Sequence, residues 1–289
     1  MIDLGRDVRR QMLTLRQVPL LATSELGELA MIAENVREVA FERDARIAVA
    51  GEPPAALHVV VSGAIVTPPM TTRWGPRQVF GALELLAGRP LRAPAIAVEV
   101  TRTLELGAQD IEDLLAENPG MLRQLLRQLA IAMMVGGAAA PAASGTRATE
   151  PLGFVERLAV LRRQPVYAGA RLDALAVLAQ SSQEVAFLPG DVIARAGELV
   201  TSSYLVVDGE ICLERDELPC AAGPGAALAM IESLASGAHL GTARAQTRVR
   251  VLAWEATALF DVIEDHPQLG RAVIASLASW LLDHARSAP

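Results

Sequence analysis

The sequence predicts an α+β protein, mainly β with flanking helices, built as two double-sheet jelly-roll barrels in tandem. Three observations carry the prediction: a thirty-residue stretch occurs twice without a gap, its apolar residues recur with a period of two, and helical periodicity brackets it on both sides. Arg37–Val66 (REVAFERDARIAVAGEPPAALHVVVSGAIV) returns as Gln183–Cys212 (QEVAFLPGDVIARAGELVTSSYLVVDGEIC) at a constant offset of 146, with 13 of 30 pairs identical. Glu38/Glu184, Phe41/Phe187, Gly51/Gly197 and Gly63/Gly209 are among them, and the offset reaches back to Pro19/Pro165. So long a period marks a duplicated domain rather than a solenoid unit of about 20–50 residues. At about 150 residues per domain, 289 residues agrees. The expected division is a first domain at 1–135, a flexible linker at 136–150 (GGAAAPAASGTRATE) and a second domain at 151–289.

The elements follow in order. An amphipathic helix is predicted near Leu4–Arg16 and a second at Ser24–Glu34, with Ser24 placed to act as N-cap. From Val36 the period changes to two. Val36–Phe41, Arg46–Ala50, Ala56–Val61 and Ala64–Val66 read as strands separated by Gly-Glu and Ser-Gly turns, with further strands near Ala95–Val100 and Thr103–Leu106. Helix returns over 109–135 with a break at Asn118-Pro119-Gly120. In the second copy helices are expected near Pro151–Arg162 and Arg171–Gln180. Strands follow across Glu184–Cys212 and near Ala243–Trp254, and a closing helix breaks at His266-Pro267.

Composition removes several function classes. Apolar residues make up 52% and aromatics only 3%, so the cores must be aliphatic. A net charge of −7 with dispersed basic residues argues against direct nucleic-acid binding, which draws its affinity from a basic patch. All 26 basic residues are arginine, which excludes a phosphate loop of the G-x-x-x-x-G-K-[ST] kind, a Schiff-base lysine and a serine–lysine dyad. Cys212 and Cys220 make neither a disulfide framework nor an iron–sulfur set and fit a reducing, cytoplasmic setting. MIDLGRDVRR lacks the apolar core of a secretion signal. The apolar run at 129–143 is broken by Gly136, Gly137 and Pro141, short of a membrane span.

Gly51–Ile65 (GEPPAALHVVVSGAI) and Gly197–Ile211 (GELVTSSYLVVDGEI) resemble the signature strand–turn–strand of the cyclic-nucleotide-binding domain family, the effector domains of catabolite-activator-protein-like regulators. Tight turns at the two glycines need positive φ, which glycine adopts without a Cβ penalty. The resemblance covers nearly the whole chain apart from the linker, and it implies a bacterial-type regulatory module. It also implies a ligand cassette, F-G-E-x-A-L-L with an arginine nine residues after the glutamate and then Ser/Thr-Ala-Thr. In that cassette the glutamate accepts a hydrogen bond from the ribose 2′-hydroxyl and the arginine holds the cyclic phosphate. Backbone N–H groups at the start of the intervening helix add to the anion site.

Neither copy keeps the pattern. In the first, Phe80 and Gly81 are in place, but Ala82 stands for the glutamate and Leu91 for the arginine. Arg92 comes one residue late, and Pro94 replaces a threonine whose hydroxyl and N–H proline lacks. A slip of one residue along an extended chain turns a side chain to the opposite face, unless a bulge restores it. In the second copy Leu228-Ala229-Met230 replaces Phe-Gly-Glu, His239 stands at the arginine position, and Thr242 is retained. A histidine there gains charge only in mild acid. Losing both charged contacts removes most of what selects a cyclic nucleotide. The candidate ligand residues are therefore Phe80, Gly81, Arg89, Arg92, His239 and Thr242, with cAMP or cGMP disfavoured and no cofactor expected.

The four histidines, His58, His239, His266 and His284, are scattered without an H-x-H or H-E-x-x-H pair, so no metal centre is expected. There is no G-x-S-x-G elbow, and no helix-turn-helix is expected between the second barrel and Pro289. The apolar helices at 121–135 and 270–282 remain. Val273, Ile274, Leu277, Trp280 and Leu281 form a stripe that fits packing on the second barrel or a partner surface, including a homodimer. The sequence thus points to a non-enzymatic regulatory, adaptor or assembly protein working through protein–protein contacts. The alternative is a sensor of a cyclic nucleotide or other anion in the first domain, through Arg92 or Arg89.

Overall fold

The computed structural model describes residues 6–21, 24–136, 151–215 and 218–284. The chain divides into two compact units, Met1–Gln124 and Leu125–Pro289. All but the first residue of the expected linker, 136–150, lies outside the described residues.

The first unit opens with helices α1 (Arg6–Leu15) and α2 (Leu26–Asn35), joined through a 3-10 turn at Pro19–Leu21. The N-cap of α2 is Glu25, not Ser24: its backbone N–H donates to the Glu28 carboxylate at 3.0 Å. A carboxylate at the third helical position captures a free donor of the first turn, which shifts the start by one residue. Strands β1 (Arg37–Phe41), β2 (Arg46–Ala48), β3 (Ala56–Ser62) and β4 (Ile65–Thr67) stand close to where alternation puts them. Two more, β5 (Met70–Trp74) and β6 (Val79–Phe80), were not expected. After the short helix α3 (Ala82–Ala87) come β7 (Ala95–Ala97), β8 (Thr101–Gly107), α4 (Ala108–Glu117) and α5 (Pro119–Val135), the last straddling the boundary between units.

The second unit repeats this order. Its elements are α6 (Phe154–Arg162), a 3-10 turn at Pro165–Tyr167, α7 (Leu172–Ser181), β9 (Gln183–Phe187), β10 (Val192–Ala194), β11 (Ser202–Asp208), β12 (Ile211–Arg215), β13 (Leu218–Ala222) and β14 (Ala227–Leu228). Then follow α8 (Met230–Leu234), β15 (Thr242–Ala245), β16 (Val249–Glu255), α9 (Ala258–Asp265) and α10 (Pro267–His284).

Each unit holds two four-stranded antiparallel sheets of one topology: β1-β8-β3-β6 and β2-β7-β4-β5 in the first, β9-β16-β11-β14 and β10-β15-β12-β13 in the second. The registers correspond as well. His58 pairs with Phe80 as Tyr204 pairs with Leu228, and Leu57 pairs with Leu106 as Ser203 pairs with Trp254. The offset between copies is 146 through β4 and β12 and becomes 148 from β5 and β13 onward. The length difference falls within this hairpin: β12 has five residues where β4 has three, and two residues precede the next strand in each copy.

The expected need for glycine at the turns is met. Gly51, Gly63, Gly197 and Gly209 all have φ between 80° and 89°. At Gly63 a Cβ would lie 2.5 Å from Thr101 Oγ1 and 2.6 Å from the Val100 carbonyl oxygen, and at Gly209 it would run into the backbone of Arg248 and Val249. Cores are mainly aliphatic, with a few aromatic side chains such as Phe80 and Trp254 among them. Val60, Ile65, Phe80, Leu91 and Ala95 pack together in the first barrel, and Ile193, Val206, Ile211, Leu228 and Val251 in the second. Of the α10 stripe, Val273, Ile274 and Leu277 are buried while Trp280 and Leu281 are half-buried. No helix among the described residues is long and apolar enough to cross a membrane.

Candidate functional site

In the first unit the cassette begins where β6 ends. Gly81 takes a left-handed conformation (φ 79°), turning the chain into α3, and Gly88 (φ 61°) ends that helix. Beyond it, burial alternates: Leu91 and Ala93 are inside, Arg92 between them is exposed, and Ala95 begins β7 inside. The alternation runs on without a bulge that would bring Arg92 inward. Leu91, 4% exposed, packs with Val60, Ile65, Phe80 and Ala95, so an aliphatic side chain fills the place where the resemblance implies a cation. Its backbone is fixed as well: Gly51 N–H donates to the Leu91 carbonyl at 2.7 Å, and Leu91 N–H donates to the Glu52 carbonyl at 2.9 Å.

The second unit has the same clasp. Gly197 N–H donates to the His239 carbonyl and His239 N–H to the Glu198 carbonyl, both at 2.9 Å. Leu91 and His239 thus occupy equivalent positions. Ala229 replaces Gly81 and is left-handed too (φ 61°), a conformation that costs a residue with a Cβ roughly 1 kcal/mol. His239 is half-buried, and Thr242 Oγ1 accepts the Ala196 backbone N–H at 3.2 Å.

The sequence-predicted site residues therefore fall into different environments. Phe80 is a core residue, 2% exposed, edge-on to Trp74 at 5.2 Å between ring centroids. Arg89 is half-buried just after α3, and its backbone N–H donates to the Glu84 carbonyl at 2.9 Å. Arg92 lies on the outward face. His58 is the buried ring expected at the Tyr204 position. It is 6% exposed, edge-on to Phe41 at 5.8 Å as Tyr204 is to Phe187 at 6.3 Å, with Nδ1 3.2 Å from Thr103 Oγ1. Burial lowers its pKa, partly opposed by the Glu105 carboxylate beside it.

One charged pair recurs that sequence reasoning left unassigned. Glu38 on β1 meets Arg102 on β8, and Glu184 on β9 meets Arg250 on β16 at 2.9 Å, each diagonally across the same strand pair. Glu38 also accepts from Arg10 of α1 at 2.7 Å, and Glu184 from the Leu152 backbone N–H at 2.9 Å. In both units this carboxylate ties the helical segment to the sheet. The identity of Glu38 and Glu184 was visible as a repeat. Its partners were not, since the arginines lie beyond the gap-free stretch.

Among the described residues no group of three or more His, Cys, Asp or Glu could hold a metal ion, and Cys212 and Cys220 are free.

Comparison with known proteins agrees with the fold. The family described as cyclic nucleotide-binding domain matches twice, over residues 38–118 and 184–266, together more than half of the chain. No curated protein matches the sequence. Among solved structures, the regulatory subunit of a cAMP-independent protein kinase A from Trypanosoma brucei is 18% identical. That match covers 92% of this chain and 89% of the other, with a TM-score of 0.37. The regulatory domain of Toxoplasma gondii protein kinase A, crystallised with cAMP, is 17% identical over 99% of both chains at a TM-score of 0.35. The N-terminal domain of a Streptomyces coelicolor A3(2) transcriptional regulator is 25% identical over 44% of this chain and 93% of its own, at 0.41.

Proposed function

Since the chain belongs to the cyclic nucleotide-binding domain family, with two such domains in tandem, we propose that it is a non-enzymatic regulatory, adaptor or assembly protein acting through protein–protein contacts, with both nucleotide cassettes degenerate. The observation that carries the reading is Leu91. It is buried among apolar side chains and held by the backbone clasp that also holds His239, at the position where the family's phosphate-binding arginine is expected. A cyclic phosphate brought there would lose its hydration without gaining a cation, a cost that no apolar contact offsets. Ala82 adds a second loss, since a methyl group cannot accept the ribose hydroxyl's hydrogen bond. We place the protein in the cytoplasm, with a protein partner. The apolar helices at 121–135 and 270–282 are the surfaces to test first for that partner or for a homodimer.

Calorimetric titration of the purified chain with cAMP and cGMP, beside an Arg92→Ala variant, tests the reading. No heat up to millimolar nucleotide is expected from either protein. Micromolar binding lost in the variant would replace it with the sensor reading, in which Arg92 reaches an anion from outside the barrel. Binding kept by the variant would move that role to Arg89 or to the second unit.

A further inference from the structure

A cavity of about 30 Å3 lies within the second unit, between the helices and the barrel. Its wall is mostly apolar, but Gln164, Tyr167, Ser203 and Ser233 also face it. Two of the polar groups around it are already paired: Ser233 Oγ donates to the Ala256 carbonyl at 2.7 Å, and the Trp254 indole N–H donates to the Leu178 carbonyl at 2.8 Å. Others are poorly served. The Tyr167 hydroxyl stands 3.9 Å from the Met230 sulfur, a weak acceptor, and burial raises its pKa so that it remains a neutral donor. Gln164 is 4% exposed, and its Oε1 has no hydrogen-bond partner among the described residues. A buried amide oxygen left unpaired is costly, and native proteins satisfy nearly all of them with protein groups or ordered water.

The first unit shows that the fold does not require these polar groups. At the equivalent positions it has Val18, Leu21, Leu57 and Leu85, four aliphatic side chains in place of four polar ones. Polarity has been concentrated around one cavity in one copy, and the size of that cavity selects its occupant. About 10–15 Å3 suffices for one water, whereas small-molecule pockets run to about 300 Å3 or more.

We propose that the second unit contains an internal hydration site, in which a water molecule donates to Gln164 Oε1 and uses the Tyr167 and Ser203 hydroxyls as further partners. Such a water would join the 3-10 turn that carries Gln164 and Tyr167 to strand β11.

A crystal structure of the full chain, extending to about 1.8 Å, decides the matter. One ordered water within about 3.2 Å of the Gln164 side chain is expected. In a Gln164→Val variant, which copies Val18, that density should be gone and the protein should melt no lower than the wild type. A cavity without density in the wild type, Gln164 turned onto a protein group, or density for a larger molecule would each overturn the proposal. So would a water that persists in the variant. If the variant does not fold, the wild-type density decides alone.

Discussion

In the first unit the Glu38–Arg102 pair lies in the open, its side chains 24% and 54% exposed, while in the second the Glu184–Arg250 pair is 16% and 11% exposed. The fold, the strand pair and the two residue types are shared; the surroundings are not. The same contrast runs through the molecule. Gly81 is matched by Ala229 in one left-handed turn, Leu91 by His239 in one backbone clasp, and Val18 by Gln164 behind the barrel. The duplicated backbone fixes where a residue sits, and each copy then uses the place differently. Two equivalent positions in one chain thus form an internal control that separates what the fold demands from what either unit has made of it.

The largest effect should come where the copies agree. Gly63→Ala and Gly209→Ala each place a Cβ against the backbone of a neighbouring turn at positive φ, and each should cost about 3 kcal/mol or more in denaturant unfolding. A cheap substitution in either copy would show that its hairpin can shift, and the symmetry would fail there. The charged pairs should diverge. Glu184→Gln should cost about 2–3 kcal/mol because it leaves Arg250 partly buried with its main carboxylate partner gone, against about 0.5–1 kcal/mol for Glu38→Gln at the surface. Equal costs would show that exposure is not what distinguishes the pairs.

A smaller pair of changes tests the left-handed turn. Gly81→Ala should cost about 1 kcal/mol and Ala229→Gly should return roughly 0.5–1 kcal/mol, read from thermal unfolding. The smallest effect belongs to acid. The pKa of His58 is lowered in the folded protein, so below about pH 6.5 the unfolded chain takes up the proton first, and stability present at neutral pH is lost as pH falls toward the folded value. His58→Tyr, which copies Tyr204, should reduce the drop in melting temperature between about pH 7.5 and about pH 5.5. An unchanged drop would assign the acid sensitivity to other groups.

How much of this was legible in sequence depended on the range over which the determinants act. Strands β1 to β4 and their copies announce themselves through local alternation, and the glycine turns through a conformation that only glycine adopts cheaply. Arg92 pointing outward was legible for the same reason, since one step along an extended chain reverses a side chain. Strand β6 has only two residues, and β5 lies past the point where the gap-free repeat stops, so neither offered a period to read. Glu25 displaced Ser24 because a reciprocal contact with Glu28, three residues on, decided the cap. The cavity was out of reach altogether: Gln164, Ser203 and Trp254 are far apart in sequence, and only the packing of the helical segment on the sheet brings them to one wall.

One hairpin carries a consequence for how such a chain changes over generations. From β5 and β13 onward the copies run at an offset of 148, because β12 is two residues longer than β4. Residues 79–135 and 227–283 are therefore blocks of equal length, in which four of the six strands and helices begin at corresponding points. A gene-conversion event that overwrote one block with the other would rejoin the chain in register and keep the sheets intact. A single genetic step could then give both barrels the same cassette, or carry a repair made in one copy to the other.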